Sequence, residues 1–160
     1  MIGGVPESGS PAPASVQVWQ ALQRVYADLR PDLDTELRRR TGLPASWYDM
    51  LVELDAAQRL RMSDLGARMV LSRTRVSRLV TELEARGLVS RESNPDDGRS
   101  AYVAVTAAGR QRLREAASHH HAAVDERFAA LEPAELDHLA VALRKVLGTE
   151  SGGGAGPGAE

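Results

Sequence analysis

Three groups of residues in this 160-residue chain have types and spacings that could do chemistry. The first is Ser72, Arg73, Thr74, Arg75, Ser77 and Arg78, which crowds hydrogen-bond donors into two helical turns. A guanidinium can fork onto O6 and N7 of guanine, and hydroxyls and helix N-terminal amides suit phosphate oxygens, so the set fits duplex DNA. A merely solvated arginine face is the plainer alternative. The second is Asp97 and Arg99, in and beside the turn Asn94-Pro95-Asp96-Asp97-Gly98. An arginine at a hairpin tip can reach a minor groove or its flanking phosphates, with Asp97 holding it; an ordinary surface ion pair is the alternative. The third is His119-His120-His121. Consecutive helical residues fan apart by about 100°, so three adjacent imidazoles cannot share one ion. Only Glu115 with His119, and His121 with Asp125, have the i,i+4 spacing that could. We read the histidines as solvated or interface groups, with no metal site.

Catalysis finds no foothold: there is no Gly-rich phosphate loop, no nucleophile with a base at recognisable spacing and no dinucleotide fingerprint. The chain is read as no enzyme and as requiring no cofactor. A His/Glu metal hydrolase on a helical bundle is the enzyme alternative.

The elements that must position these groups follow from periodicity. Val18, Leu22, Val25 and Leu29 recur at helical steps from Ser15 onward, and Pro31 is expected to kink or break that helix before Leu33 and Leu37. Trp47, Leu51 and Leu54 mark a second helical face. Ser63 is placed to cap a short helix carrying Leu65 and Met69, and Ser72 to cap the next, whose stripe is Val76, Leu79, Val80 and Leu83 before Gly87 stops it. Two helices joined by so short a turn form a helix-turn-helix. The period then changes. Leu88 to Arg91 and Ala101 to Val105, on either side of the turn, read as a β-hairpin with Tyr102 on one face and Val103 and Val105 on the other. Thr106 can cap a long helix from about Ala107 to Arg127, and Pro133 starts a last one carrying Leu136, Leu139, Leu143 and Leu147.

Composition sets the outer bounds. With no cysteine, disulfides, Cys-ligated zinc and thiol redox sensing are excluded. An aromatic content of 4% leaves Leu, Val and Ala to build the core, which favours helices. The net charge of −2 conceals an uneven distribution. Arg68, Arg73, Arg75, Arg78, Arg86 and Arg91 face only Glu82 and Glu84 within residues 68–91, whereas Asp125, Glu126, Glu132 and Glu135 face only Arg127 within residues 125–135. Only the first region could meet phosphates. No apolar run spans a membrane and the start lacks the pattern of a secretory signal, so a cytoplasmic protein with no membrane partner is expected. The Gly/Pro/Ser-rich residues 1–14 and Gly-rich 149–160 read as disordered tails.

Several separated segments then agree on one family. Met62-Ser63-Asp64-Leu65-Gly66, Leu71 through Val80, Leu83 through Arg91, Asp96-Asp97-Gly98-Arg99-Ser100 and Val105-Thr106-Ala107-Ala108-Gly109 together resemble the MarR family signature in order and spacing. The likeness runs from about Val16 to Leu147. It implies a mainly α fold with a small β-hairpin wing (α+β): a winged helix-turn-helix lobe at about 45–106, with dimerisation helices at about 15–40 and 107–148, all within 15–148. It further implies a bacterial, homodimeric transcriptional regulator of double-stranded DNA, acting as a repressor on a pseudo-palindromic operator. DNA contacts fall on Ser72, Arg73, Thr74, Arg75, Ser77 and Arg78, with Asp97 and Arg99 in the wing. Gly98 departs from the family's pattern, since many relatives carry a second basic residue there, so the wing should grip less tightly. Repression would be relieved by a small aromatic or lipophilic effector, for which Trp19, Tyr26, Trp47 and Tyr48 border the pocket; core packing is the competing reading of these aromatics. A dimer is expected on physical grounds too, because the first and last helices are too apolar to stand bare. A winged helix used only for protein contact remains the non-enzymatic alternative.

Overall fold

A computed structural model of the chain describes residues 12–93 and 101–148, so the predicted wing residues Asp97 and Arg99 lie outside the described residues. The chain divides between Val124 and Asp125 into two compact units.

The first unit opens with α1, Ala14–Thr41, a 28-residue helix that runs through Pro31. Of the expected kink or break, the break does not occur: one helix continues through the proline. Proline removes one amide from the ladder, the donor to the Ala27 carbonyl, but its ring lies on an exposed face and the following turns are anchored by the buried Leu37. Gly42, at φ 69°, closes the helix by returning its N–H to the Arg38 carbonyl at 2.7 Å. The Asp34 carboxylate then accepts the Ala45 N–H at 2.7 Å, so α1 supplies the cap that α2, Ala45–Ala57, lacks in its own N-cap residue Pro44.

A three-residue strand, β1 (Arg59–Arg61), leads directly into α3, Met62–Met69. This corrects the expected start of α3. Because Arg61 is still extended, Arg61 and not Ser63 occupies the N-cap position, and Ser63 instead donates from its hydroxyl to the neighbouring Asp64. Helix α4, Arg73–Glu84, begins as the sequence predicts: Ser72 Oγ accepts the Arg75 N–H at 3.3 Å, and Val76, Leu79, Val80 and Leu83 are buried.

Strands β2 (Val89–Ser93) and β3 (Ala101–Val105) pair antiparallel, as expected of the hairpin. Strand β1 joins on the other side, giving the order β1-β3-β2 with Leu60 opposite Val103 and Arg61 opposite Tyr102. Alternation turns Leu60, Val103 and Val105 into the core and puts Tyr102 on the outer face, where the guanidinium groups of Arg59 and Arg61 lie over its ring at 4.8 and 5.6 Å from the centroid. Helix α5, Ala107–Phe128, starts at Thr106, whose hydroxyl accepts the Gly109 N–H at 3.0 Å. The core joins Leu37, Met50, Leu51, Leu54, Leu65 and Leu83 with the sheet valines and Ala116 of α5.

The second unit contains α6, Pro133–Leu147, opened by a capping box between Glu132 and Glu135 and by Pro133 in its first turn, and closed by Gly148 at φ 67°. None of its residues is buried, and Leu136, Leu139, Val141, Val146 and Leu147 are exposed. The outcome is a mainly helical protein with a small antiparallel sheet. Among the described residues, no helix is long and apolar enough to cross a membrane.

Candidate nucleic-acid interface

Helices α3 and α4 pack through Gly66. A Cβ there would lie 3.3 Å from the Leu71 carbonyl and 3.4 Å from Val76 Cγ2, so the absent side chain is what lets the second helix cross so near the first. Val70 makes the turn between them in the left-handed region at φ 52°, with its side chain 90% exposed, and Leu71 returns its N–H to the Gly66 carbonyl at 2.9 Å. This geometry fixes the direction in which α4 projects.

All six residues predicted on this helix, Ser72, Arg73, Thr74, Arg75, Ser77 and Arg78, are exposed, while Val76, Leu79, Val80 and Leu83 of the same helix face the core. Arg73 and Arg75 make no ion pair among the described residues, so two cations at the helix N-terminus have no carboxylate partner among those residues. Arg78 differs: its Nε donates to Glu82 Oε1 at 2.9 Å. The guanidinium of Arg78 and the Trp47 indole N–H together hold the Glu82 carboxyl below the usual carboxylate range. Grooves border the helix among the described residues. One, of about 540 Å³, is lined by Arg73, Thr74, Ser77, Arg78, Thr81 and Glu82. Another, of about 930 Å³, runs between α3, α4 and the sheet, where Arg61, Arg73 and Arg91 meet Ser63 and Ser77.

Arg61 and Arg91 were not among the predicted contact residues. Arg91 lies opposite Val103 in the ladder, on the sheet face that turns toward α4. There it donates to Thr81 Oγ1 at 2.7 Å and pairs with Glu84 at 3.4 Å, tying the wing to the exposed helix. Alternation along β2 was the available signal, since Val89 and Arg91 share a face.

The four aromatics assigned to an effector pocket are spread over several surroundings. Trp19 and Tyr26 are 60% and 67% exposed on α1. Trp47 turns to α4, where its Nε1 donates to Glu82 Oε2 at 3.2 Å and Arg86 stacks on its ring at 4.8 Å. Tyr48 is buried with its ring 4.6 Å from that of His120 on α5. His119 and His121 are exposed; His120 is half-buried with Nδ1 enclosed and unpartnered among the described residues. Burial lowers its pKa below the ordinary imidazole value, while Asp49 opposes that shift. No three His, Asp or Glu side chains among the described residues form a metal-ligand set.

A two-helix motif with an exposed basic second helix, backed by a three-stranded sheet whose hairpin adjoins it, defines a winged helix-turn-helix protein. Residues 41–100 match the model of the MarR family. The structure of AbsC, a MarR family transcriptional regulator from Streptomyces coelicolor, is 30% identical, with 88% of this chain and 97% of AbsC covered at a TM-score of 0.72. Sco3205, a MarR family regulator from the same organism solved in complex with DNA, is 31% identical, with 92% and 94% covered at a TM-score of 0.73. The transcriptional repressor MprA of Escherichia coli is 27% identical over 114 residues, which span 70% of this chain but only 65% of MprA. The chain belongs to the MarR family of winged helix-turn-helix transcriptional regulators.

Proposed function

We propose that this protein is a cytoplasmic, homodimeric regulator that binds double-stranded DNA through α4 and represses transcription until a small aromatic or lipophilic effector intervenes. The observation that carries the DNA reading is the outward face of α4, where Arg73 and Arg75 are exposed and, among the described residues, without an ion-pair partner, beside Ser72, Thr74 and Ser77. Such a helix, about 10–12 Å across with its side chains, fits a major groove and leads with its N-terminal residues. Arg78, and Asp97 and Arg99 of the wing, complete the proposed contact set. The complex of Sco3205 with DNA and the repressor role in the name of MprA favour the same reading.

The winged lobe spans about 45–106, and the helices at about 15–40 and 107–148 form the dimer region. Support comes from Val18, Trp19, Val25 and Tyr26 on α1 and Val141, Val146 and Leu147 on α6, apolar side chains left 42% to 81% exposed. A second copy would cover them, and two-fold symmetry then asks for half-sites about 34–36 Å apart. The effector surface is assigned to Trp19, Tyr26, Trp47 and Tyr48, whose aromatic rings suit a planar ligand.

The test is binding to the DNA that flanks the protein's own gene, titrated at two salt concentrations. Tight binding that weakens with salt is expected, and Arg75→Ala should weaken it by about 1–3 kcal/mol while relaxing preference at one base position. Unchanged affinity in both Arg73→Ala and Arg75→Ala would remove α4 from the interface.

A further inference from the structure

The i,i+4 pair Arg78–Glu82 would, by itself, be a solvated ion pair of little energetic weight. Its third partner changes its character. Glu82 uses one carboxylate oxygen for Arg78, at 2.9 Å, and the other for the indole N–H of Trp47, at 3.2 Å, and Trp47 belongs to a different helix. The indole is itself held by the Arg86 guanidinium stacked on its face at 4.8 Å. A flexible arginine on the exposed face of α4 is thereby referred to a rigid ring on α2.

Trp47 is the first of three consecutive residues that each grip a different helix. Tyr48 packs its ring 4.6 Å from that of His120 on α5, and Asp49 pairs with Arg30 of α1 at 2.5 Å. Successive side chains on a helix diverge by about 100°, which is why one turn of α2 can reach three neighbours. A displacement of α1 or α5 against α2 would strain the Arg30–Asp49 pair or the Tyr48–His120 contact, both carried on the turn that holds the indole.

We propose that Glu82, gripped by Trp47, is a positioning residue that fixes the direction of Arg78 on DNA, and that the turn Trp47–Asp49 carries displacements of α1 and α5 to it. This rests on the DNA-binding reading of α4. The arrangement trades attraction for direction: a carboxylate beside the phosphates cancels part of the charge of Arg78 but restricts where its fork can point.

The two partners of Glu82 make the test specific. Affinity is measured for a duplex that the wild-type protein enriches from a random-sequence pool and for an unselected duplex of equal length, each across a salt series. Glu82→Gln is expected to bind the unselected duplex more tightly, to steepen the salt dependence by about one ion, and to lower discrimination by about tenfold. Trp47→Phe keeps a ring for Arg86 and leaves the charge unchanged, so it should lower discrimination with no change in salt dependence. Arg30→Gln should lower discrimination in the wild-type background and do nothing further in Trp47→Phe. The indole N–H resonance of Trp47, recorded without DNA, should move upfield in Glu82→Gln and shift in Arg30→Gln. If wild-type protein discriminates and Trp47→Phe discriminates equally well, or if the Arg30 and Trp47 effects simply add, the positioning role is overturned while DNA binding stands. If the wild type enriches no sequence, the DNA reading itself falls and the positioning role with it. An indole resonance unmoved by Arg30→Gln overturns the coupling to α1 whatever the DNA result.

Discussion

The Cα of Gly109 sits so close to Leu88 that a Cβ built on it would come within 2.0 Å of the Leu88 carbonyl oxygen and 2.7 Å of Val105 Cγ1. The same corner is stitched by Thr106, whose N–H donates to that carbonyl at 3.1 Å and whose hydroxyl donates to the Gly87 carbonyl at 2.6 Å. The end of β3, the start of α5 and the entry to β2 therefore converge on a point where only a hydrogen fits. Gly109→Ala should force the backbone apart and destabilise the fold by about 1–3 kcal/mol, lowering Tm by roughly 2–4 °C per kcal/mol. An unchanged Tm would mean that the corner relaxes freely.

Val70 is the reverse case, a β-branched residue held at φ 52° with its side chain in solvent. Left-handed backbone costs a branched residue about 1–2 kcal/mol, and Asn tolerates it far better. Val70→Asn should raise stability by about 1 kcal/mol, visible as a Tm higher by roughly 2–4 °C. A lower Tm would show that the valine side chain contributes a contact that outweighs the strain.

His120 makes stability depend on pH. Burial lowers its pKa below 6.5, assisted by the positive charges of His121 and Arg30 and opposed by Asp49, while Tyr48 covers the ring. With the folded value below the unfolded one, the unfolded chain takes up the proton first. The contribution of His120 is present above the unfolded value and is lost as pH falls through the folded value. Melting curves between about pH 7.5 and 5.5 should show Tm falling on acidification, and His120→Gln should make that fall shallower. Equal slopes in the two proteins would place the acid sensitivity elsewhere.

What could be read from the sequence was local. Ser72 as a cap, the Val76–Leu83 stripe, Thr106 before α5 and Pro133 at the head of α6 each depend on neighbours within a turn or two, and each takes its predicted place. Strand β1 was not legible because Arg59-Leu60-Arg61 carries no run of its own; it is a strand only because β3 pairs with it. The misplaced cap at Ser63 follows from that omission, since an extended Arg61 moves the start of α3. Pro31 was weighed by its local cost, and packing of the residues beyond it prevailed. That Trp47 meets Glu82 of α4 and Tyr48 meets His120 of α5 was not legible, because helix membership does not say which neighbour each side chain meets. The contacts of Trp47 with Glu82, 35 residues away, and of Arg91 with Thr81 join positions that no sequence period relates.

The two stretches of α1 on either side of Pro31 rest on different supports. Beyond the proline, Leu37 and the Asp34 cap lock the helix into its own chain, whereas Val16, Val18, Trp19, Val25 and Tyr26 are 39% to 67% exposed. A helical segment of that length, held to the rest of its own chain chiefly near its end by the Arg30–Asp49 pair, is marginal in water. On the dimer reading, its order is drawn from a second molecule, so that folding and assembly are one equilibrium governed by mass action. Dilution alone should then lower the melting temperature, and the cellular abundance of the protein would set how much of it is folded.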